Sequence, residues 1–557
     1  MFEKQMSKKE KAQKIVNDPW MPLLVALIIM VIFDQLNWGR QFGIQFLLLT
    51  LMILAGLFFL ARIENKNIPW RSCLLLIPIL LGAAMTAFQA AVSTTFFNIL
   101  LTVVALSYLA MTLLNGQWML FRVREVALGI LRLIQSALID PVMVFIHHGQ
   151  SQKDRPASGK NAGWQKIQPF IIGVFIAAPL LLIFGALLAS ADLIFKERLA
   201  GMLDLFTIEN LPQLIFRAFY IITLGYFMAG AFVHAVSRSA EEKTFTPNQP
   251  LLQPFLGHVE SLTVLVLVNL LFLSFIIIQF RYFFAGQANI SVEGFTYAAY
   301  TRRGFFELVA VALISLGVYY LLSMFTKRTE QKIKYTFSAL GILLMLQVGC
   351  MLISAFQRLS LYEAAYGFTT LRTLTHIFMI WLGVVIPTVI LMEVFDQFKR
   401  LALVLWLVFF GFTLTLNLLN IDRFIARQNL AHALAGEPLD ASYLLNNLSV
   451  DAIPILFEAQ QAPDMPQELQ ETLSAILACK SVLDDKPEQR LSWSEWHFSK
   501  ARADRLFETN REKLTDKYLS LKEESYVYEQ DGVRIEETYH YYYFFVNGEE
   551  VFCRPVE

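Results

Sequence analysis

The chain has 557 residues, of which 56% are hydrophobic and 17% are charged, and its mean hydropathy is +0.50. Soluble domains average about 25% charged residues, so this composition indicates an integral membrane protein. The formal net charge of zero hides a division along the chain. Residues 1–420 contain 32 Lys and Arg against 21 Asp and Glu, whereas residues 421–557 contain 14 against 25. The acidic tail argues against a nucleic acid partner, because phosphate binding needs a basic surface.

Residues 1–20 form a polar, basic segment, and an apolar run without an evident small-residue cleavage site follows. We therefore expect a retained first helix rather than a removed signal peptide. A hydrocarbon core of ~30 Å needs about 20 mostly apolar residues per helix, and eleven stretches between residues 21 and 420 meet this requirement. The predicted spans are Met21–Leu36, Phe42–Ala61, Leu74–Val92, Phe96–Leu114, Pro169–Ala189, Leu211–Val236, Ser261–Phe280, Phe305–Phe325, Tyr335–Phe356, Leu371–Phe395 and Leu401–Leu419.

The orientation of these spans follows from Lys and Arg in the short connections. The N-terminal segment and the loops after spans 2, 4, 6, 8 and 10 hold 23 basic residues, whereas the opposite set of loops holds 8 when Arg372, the second residue of span 10, is included. This bias predicts a cytoplasmic N-terminus, and eleven crossings then place the tail outside. One missed or surplus span reverses the side of the tail.

The segment Trp118–Gly149 between spans 4 and 5 has apolar residues at helical spacing, interrupted by Arg122, Arg124, Glu125 and Arg132. It is too charged to span and too apolar for a free loop, so we predict an amphipathic helix at the membrane interface. Residues 150–166 read as a cytoplasmic linker. The adjacent His147 and His148 point to different helix faces, and we predict no metal site.

Residues 421–557 have the composition of a water-soluble domain. Helical patterns over residues 421–521 are separated by Pro and Gly. Residues 524–553 are rich in Tyr, Val and Phe, with Asp531-Gly532 and Asn547-Gly548 as turn signals, so they predict a small antiparallel sheet. The predicted fold is therefore an α-helical membrane bundle with a C-terminal soluble α+β domain.

Four cysteines are present, and no CxxC motif occurs, so a zinc or redox motif has no support. Cys479 and Cys553 fall in the domain that we place in an oxidising compartment. We predict a disulfide between them, with two buried free thiols as the alternative.

Charged and aromatic residues recur in the connections assigned to the outer face. A charged side chain in a bilayer is by default a functional hypothesis. Two interpretations stay open, namely a salt-bridged collar that docks the tail onto the bundle, and a binding site for anionic envelope lipid or glycan phosphate. Both require the residues to cluster. The candidates are Arg281, Tyr282, Arg302, Arg303, Glu307, Arg358, Tyr362, Glu363, Tyr366, Arg372, Asp422 and Asn429.

Four passages resemble a bacterial membrane family catalogued as domain of unknown function 4173, a relative of family 4153. The resemblance extends from about Leu187 to Pro454 and implies an integral membrane protein without an assigned activity. In the fourth passage His432 stands where the family commonly has Arg. The passages are LLASADLIF (187–195), RYFFAGQ with TYAAYTRRGFFEL (281–287 and 296–308), RLSLYEAAYGFTTLR (358–372), and NIDRFIARQNLAH with LDASYLLNNLSVDAIP (420–454).

Walker, GxGxxG, HExxH and GxSxG motifs are all missing from the sequence, which disfavours a nucleotide-driven pump, a zincin and an α/β-hydrolase. We expect no cofactor. The leading hypothesis is a non-enzymatic protein of the bacterial inner membrane that senses, scaffolds or binds at its outer face, with a protein partner for the tail as one option. One alternative is a membrane-embedded transferase or flippase-like protein that acts on a lipid-linked substrate through its Arg, Tyr and Glu residues. A secondary transporter is the other alternative, disfavoured by the scarcity of carboxylates near mid-membrane.

Overall fold

The structure, a computed structural model, describes residues 20–40, 42–153, 211–240, 254–284, 305–328, 330–484, 493–530, 533–546 and 549–553, with isolated positions between 173 and 198. The described residues form long apolar helices followed by a smaller domain of helices and strands, which confirms the predicted fold class. Helices suit the apolar part because each helix pairs its own backbone N–H and C=O groups, and the lipid chains of a bilayer offer these groups no hydrogen-bond partners.

The helices before residue 420 are numbered in chain order over the described residues. A short π-helical turn, His234–Arg238, follows α7. The helices are α1 (Trp20–Asn37), α2 (Ile44–Ile63), α3 (Trp70–Cys73), α4 (Leu76–Phe88), α5 (Val92–Thr112), α6 (Val123–Lys153), α7 (Leu211–Val233), α8 (His258–Phe284), α9 (Phe305–Phe325), α10 (Gln331–Tyr366), α11 (Thr370–Val394) and α12 (Leu401–Leu419).

Eleven helical stretches among the described residues are long and apolar enough to cross a membrane. Ten of them coincide with predicted spans, with α3 and α4 counting together as Trp70–Phe88. The eleventh is Val123–Val144 of α6, where the sequence predicted an interfacial helix. Length and composition alone do not decide between these two placements. The predicted span Pro169–Ala189 lies outside the described residues apart from isolated positions.

Helix α10 is longer than its predicted span. Its 36 residues extend about 54 Å at 1.5 Å per residue, well beyond a hydrocarbon core of ~30 Å. Residues 358–366, which the sequence analysis placed in a loop, therefore form its last turns. The prediction ended the helix where the apolar run ended, but the helix continues to Gly367, whose φ of +72° ends it.

Contacts divide the chain into two units, one of residues 1–83 with 102–244, the other of residues 84–101 with 245–557. In the first unit α1, α2, α6 and α7 pack together. Asp34 of α1 accepts hydrogen bonds from Arg217 and Tyr220 of α7. Helices α6 and α7 approach closely at Gly230, where a Cβ would lie 2.5 Å from the Cα of Ala137.

In the second unit, amide and charged side chains join the spans. Asn98 of α5 and Asn417 of α12 exchange hydrogen bonds of 3.0 and 2.7 Å. The Arg328 side chain donates to Glu393 at the end of α11, with 3.0 Å between Nη1 and Oε1, and its guanidinium lies 3.9 Å from the ring centre of Phe337. These buried polar contacts fix which helices are neighbours.

The residues after 420 belong to the second unit, and we call them the C-terminal domain. Its helices pack Leu444, Leu456, Ile476 and Phe507 into one core, and Phe544 of the sheet joins them. Three antiparallel strands follow in the order β1-β2-β3; the predicted turns 531–532 and 547–548 lie outside the described residues. The elements are α13 (Ile421–Leu434), α14 (Ala441–Asn446), α15 (Ile453–Gln460), α16 (Gln467–Asp484), α17 (Phe498–Tyr518), β1 (Ser520–Gln530), β2 (Val533–Val546) and β3 (Glu549–Phe552).

Candidate functional site

A cavity of about 260 Å³ lies where the α10–α11 connection meets α13 and α14, inside the second contact unit. We call it the junction groove. Its described lining contains three aromatic residues, one histidine and two carboxylates, and none of the lining residues is Arg or Lys. The lining residues are Ala365, Tyr366, Gly367, Phe368, Thr369, Asn429, His432, Glu437, Pro438, Leu439, Asp440 and Tyr443.

One wall of the groove is held by an amide clamp. The Asn429 side chain accepts from the Phe368 backbone N–H at 2.7 Å and donates to the Phe368 carbonyl at 2.9 Å. A Cβ on Gly367 would lie 2.8 Å from Oδ1 of Asn429. Glycine is therefore needed at 367 for its positive φ and for the close approach of the clamp.

The Arg372 side chain caps the C-terminal end of α10. Its Nη1 donates to the carbonyls of Tyr366 and Gly367, at 3.1 and 2.6 Å, and its guanidinium lies 4.1 Å from the ring centre of Tyr362. A cation that binds the last carbonyls of a helix also complements the helix dipole. Arg372 is thus engaged by the protein itself.

The opposite wall comes from the C-terminal domain. The Thr370 backbone N–H donates to the Tyr443 hydroxyl at 2.7 Å. Asp440 accepts from the Tyr443 backbone N–H at 2.8 Å and so caps α14. The His432 ring meets the Phe368 ring edge-on, with centroids 5.6 Å apart. Hydrogen bonds and ring contacts, rather than salt bridges, join the two walls.

In the last turns of α10, Glu363 and Ser360 are linked by His376 of α11. Its Nδ1 is 2.7 Å from Oε2 of Glu363, and its Nε2 is 3.3 Å from Oγ of Ser360. The order hydroxyl–imidazole–carboxylate is that of an activated nucleophile. However, the Ser360 hydroxyl also donates to the Phe356 carbonyl at 3.0 Å. Ser360 lies inside a helix, where backbone N–H groups are already bonded and cannot stabilise an oxyanion. We interpret this chain of contacts as a clamp between α10 and α11.

A second junction joins the C-terminal domain to the loop between α4 and α5. Asp451 accepts from the backbone N–H groups of Ala90 and Ala91, both at 3.0 Å. The Gln89 side chain donates to the Asn417 carbonyl at 2.5 Å. This junction was not predicted from the sequence, because a short loop of small apolar residues carries no signal for it.

Asp422 lies inside the C-terminal domain rather than at the groove. It is buried and accepts from the Ser449 backbone N–H at 2.8 Å, and burial raises its pKa. Burial also lowers the pKa of Lys480 to about 8. The Lys480 ammonium donates to the carbonyls of Leu445 and Leu448, both at 2.8 Å. The side chains of Asp422 and Lys480 therefore fix the backbone of residues 445–449.

The structure thus brings Tyr362, Glu363, Tyr366, Arg372 and Asn429 together at one junction. Glu307 is exposed in the first turn of α9, and Arg358 is half-buried on α10. Arg281 and Tyr282 belong to the last turn of α8, but their side chains lie outside the described part of the structure, as do Arg302 and Arg303 entirely.

Sequence reasoning also missed part of the groove lining. Gly367, Phe368, His432, Asp440 and Tyr443 line the groove, although none was proposed as a site residue. Their presence in the third and fourth family-like passages was the available signal. Within the described residues, no group of three His, Cys, Asp or Glu is placed to hold a metal ion.

A family model described as "Domain of unknown function (DUF4153)" matches residues 76–459, more than half of the chain. The chain therefore belongs to this family of unknown function. The match begins well before Leu187, so it also covers spans that the four passages left out. No curated protein and no solved structure matches the chain.

Proposed function

We propose that this chain is a bacterial inner-membrane protein whose junction groove binds a hydroxyl-rich ligand, such as an envelope glycan, at the outer face. The observation that carries the proposal is the lining of the groove, which combines the aromatic rings of Tyr366, Phe368 and Tyr443 with the polar groups of His432 and Glu437. A binding pocket typically offers apolar surface and a few polar groups that fix orientation.

The charge of the lining narrows the ligand class. Phosphate and carboxylate ligands are usually held by Arg or Lys, and the described lining has neither. Glu437 and Asp440 would repel an anion. The proposal therefore favours the glycan over the anionic lipid or glycan phosphate that the sequence suggested.

The outer-face placement rests on the bias of basic residues in the loops, and the finer relationship to family 4173 rests on the four passages. The transferase alternative has the hydroxyl–imidazole–carboxylate chain of Ser360, His376 and Glu363 in its favour, but Arg372 is engaged with carbonyl groups. The transporter alternative needs broken helices around a cavity near mid-membrane; the junction groove instead lies at helix ends.

The full chain in lipid nanodiscs tests the proposal by saturation-transfer NMR with two probes, N-acetylglucosamine oligomers and glycerol phosphate. We expect the oligomers to bind and glycerol phosphate to be rejected. Replacing Tyr366→Leu should weaken binding about tenfold, or ~1.4 kcal/mol, because an exposed ring that stacks on the sugar is lost. Glu437→Gln should weaken it less, since an amide keeps one acceptor.

The matched control is Glu458→Gln. Glu458 is also exposed in the C-terminal domain and pairs with Arg423 at 3.9 Å, but it does not line the groove. This substitution should leave binding unchanged. Preferential binding of glycerol phosphate, or equal effects of Glu437→Gln and Glu458→Gln on oligomer binding, would show that the groove is not the proposed site.

A further inference from the structure

We propose that Trp493, Trp496 and Phe498 anchor the C-terminal domain in the headgroup region of the lipid bilayer. These three residues form a surface that we call the aromatic foot. This inference concerns a different surface from the junction groove and does not depend on the proposed function.

The aromatic foot lies at the end of a membrane-length helix. The Phe498 ring packs against Phe88, with centroids 5.8 Å apart, and the Ser499 hydroxyl donates to the Phe88 carbonyl at 2.8 Å. Phe88 is the last residue of α4, which closes the candidate span Trp70–Phe88. Since the span ends there, the aromatic foot is held at the level where the hydrocarbon core meets the headgroups.

The aromatic foot also continues an exposed apolar surface. Trp493 is 65% exposed, Trp496 41% and Phe498 45%, although Ser494 and His497 between them are buried. On the adjoining helix ends Phe88 is 48% exposed and Val92 is 84% exposed. Soluble surfaces rarely present apolar patches of this kind without a partner. The Trp496 ring lies 6.5 Å from the Phe498 ring, which in turn contacts Phe88 at the end of the candidate span, so we assign the aromatic foot to the same medium as this helix end.

The residue types fit the headgroup region. Tryptophan is enriched at membrane interfaces because its ring is apolar while its N–H needs a polar partner. Arg502 and Arg505 are exposed in the first two turns of α17, directly after the aromatic foot. Basic side chains at that level are attracted to anionic headgroups, even though the C-terminal domain as a whole is acidic.

The test uses the full chain in nanodiscs of phosphatidylcholine and phosphatidylglycerol, with or without bromine on the acyl chain near the headgroup. The emission of Trp493 and Trp496 is obtained by subtracting the spectrum of the double variant Trp493→Phe, Trp496→Phe. Because Phe keeps an apolar ring, this variant should fold, and an unchanged thermal midpoint checks that it does. We expect brominated lipid to remove most of the difference emission and iodide in the water phase to remove little.

Two outcomes would overturn the proposal. Quenching of the difference emission by iodide without quenching by brominated lipid would place the aromatic foot in water. Resistance to both quenchers, together with a dimer that the double variant dissociates, would show that a second copy of the chain covers it.

Discussion

At the scale of single residues, the junction is fixed by a few side chains that satisfy backbone groups. The Asn429 side chain bonds both the backbone N–H and the carbonyl of Phe368, and Arg372 donates to carbonyls at the end of α10. Buried backbone groups without partners cost about 1–3 kcal/mol each, so these contacts stabilise the helix end and the docking together.

Substituting Gly367 and Gly436 by Ala distinguishes two costs of an added methyl group, namely backbone strain at positive φ and a steric clash with a neighbouring side chain. Both have positive φ, +72° and +97°. A Cβ at Gly436 would meet open space, whereas one at Gly367 would lie 2.8 Å from Oδ1 of Asn429. We expect Gly436→Ala to lower the free energy of unfolding by about 1–2 kcal/mol for backbone strain, and Gly367→Ala to lower it more. Thermal unfolding of the full chain in detergent measures both.

The two substitutions should also differ in their effect on ligand binding. Gly367→Ala displaces the Asn429 clamp and should weaken ligand binding in the junction groove, whereas Gly436→Ala should not. If both substitutions lower the free energy of unfolding equally, the Asn429 side chain moves away from the new methyl group at no measurable cost.

Three residues named from the sequence, Tyr366, Arg372 and Asn429, meet at the junction in the structure, and their role in binding stays a prediction. Tyr366 and Arg372 were named because charged and aromatic residues recur in the connections assigned to the outer face, and Asn429 because it lies near the start of the tail. Gly367, Phe368 and Asp451 were not named, because their roles depend on which backbone segment lies opposite them. That partner is distant in sequence, and no local pattern reveals it.

At the scale of elements, the sequence predicted helices over residues 421–521 and an antiparallel sheet over residues 524–553, and the structure has the helices α13 to α17 followed by the strands β1 to β3. The predicted turn residues Asp531-Gly532 lie in the chain between β1 and β2, and Asn547-Gly548 lie between β2 and β3. The end of α10 was missed because the apolar run stops before the helix does. A helix of 36 residues is longer than a hydrocarbon core, so charged residues near one of its ends do not argue against helix there.

The Cys479–Cys553 bridge joins α16 to the residue that follows β3. The two sulfur atoms are bonded in the structure, with the Cα atoms 5.8 Å apart, a separation that a disulfide requires. We predict that protein isolated without reductant yields a cross-linked peptide containing both residues. Replacing both by serine should lower the free energy of unfolding by about 2–4 kcal/mol, because the bridge restricts the unfolded chain.

Cys73→Ser with Cys350→Ser is the matched control for the bridge. Both residues are free and exposed, so their replacement should change stability little. Quantitative alkylation of Cys479 and Cys553 in unreduced, denatured protein would disprove the bridge, and with it one argument for an oxidising compartment.

At the scale of the whole molecule, contacts to the C-terminal domain constrain the number of crossings. The loop between α4 and α5 and the connection between α10 and α11 both bond to this domain, so both lie on one side of the membrane. Five candidate spans separate them, α5, α7, α8, α9 and α10, and an odd number cannot return the chain to the same side. We therefore predict that one of the two remaining stretches, Val123–Val144 or Pro169–Ala189, crosses the membrane and that the other does not.

Contacts within the first unit favour α6 as the stretch that does not cross. The Leu114 backbone N–H, just after α5, donates to the Ser239 hydroxyl at 3.2 Å, so α5 and the π-turn after α7 end at one level. Helix α6 begins nine residues after Leu114. Its Asp140 accepts from Arg238 at 2.7 Å, so residue 140 lies near that same level. A crossing helix would have carried residue 140 about 25 Å away. This favours the interfacial placement of α6, and we predict that Pro169–Ala189 is the stretch that crosses.

Two single cysteines distinguish all four combinations of these stretches. In a Cys73→Ser, Cys350→Ser background, Ser158→Cys reports the linker and Ser442→Cys, an exposed position, reports the C-terminal domain. With a cytoplasmic N-terminus, an impermeant maleimide applied to spheroplasts should label only Ser442→Cys, and detergent should expose both. Labelling of both before lysis would make α6 the crossing helix. Labelling of neither, or of Ser158→Cys alone, would mean that neither or both stretches cross, which the contacts at the two junctions contradict.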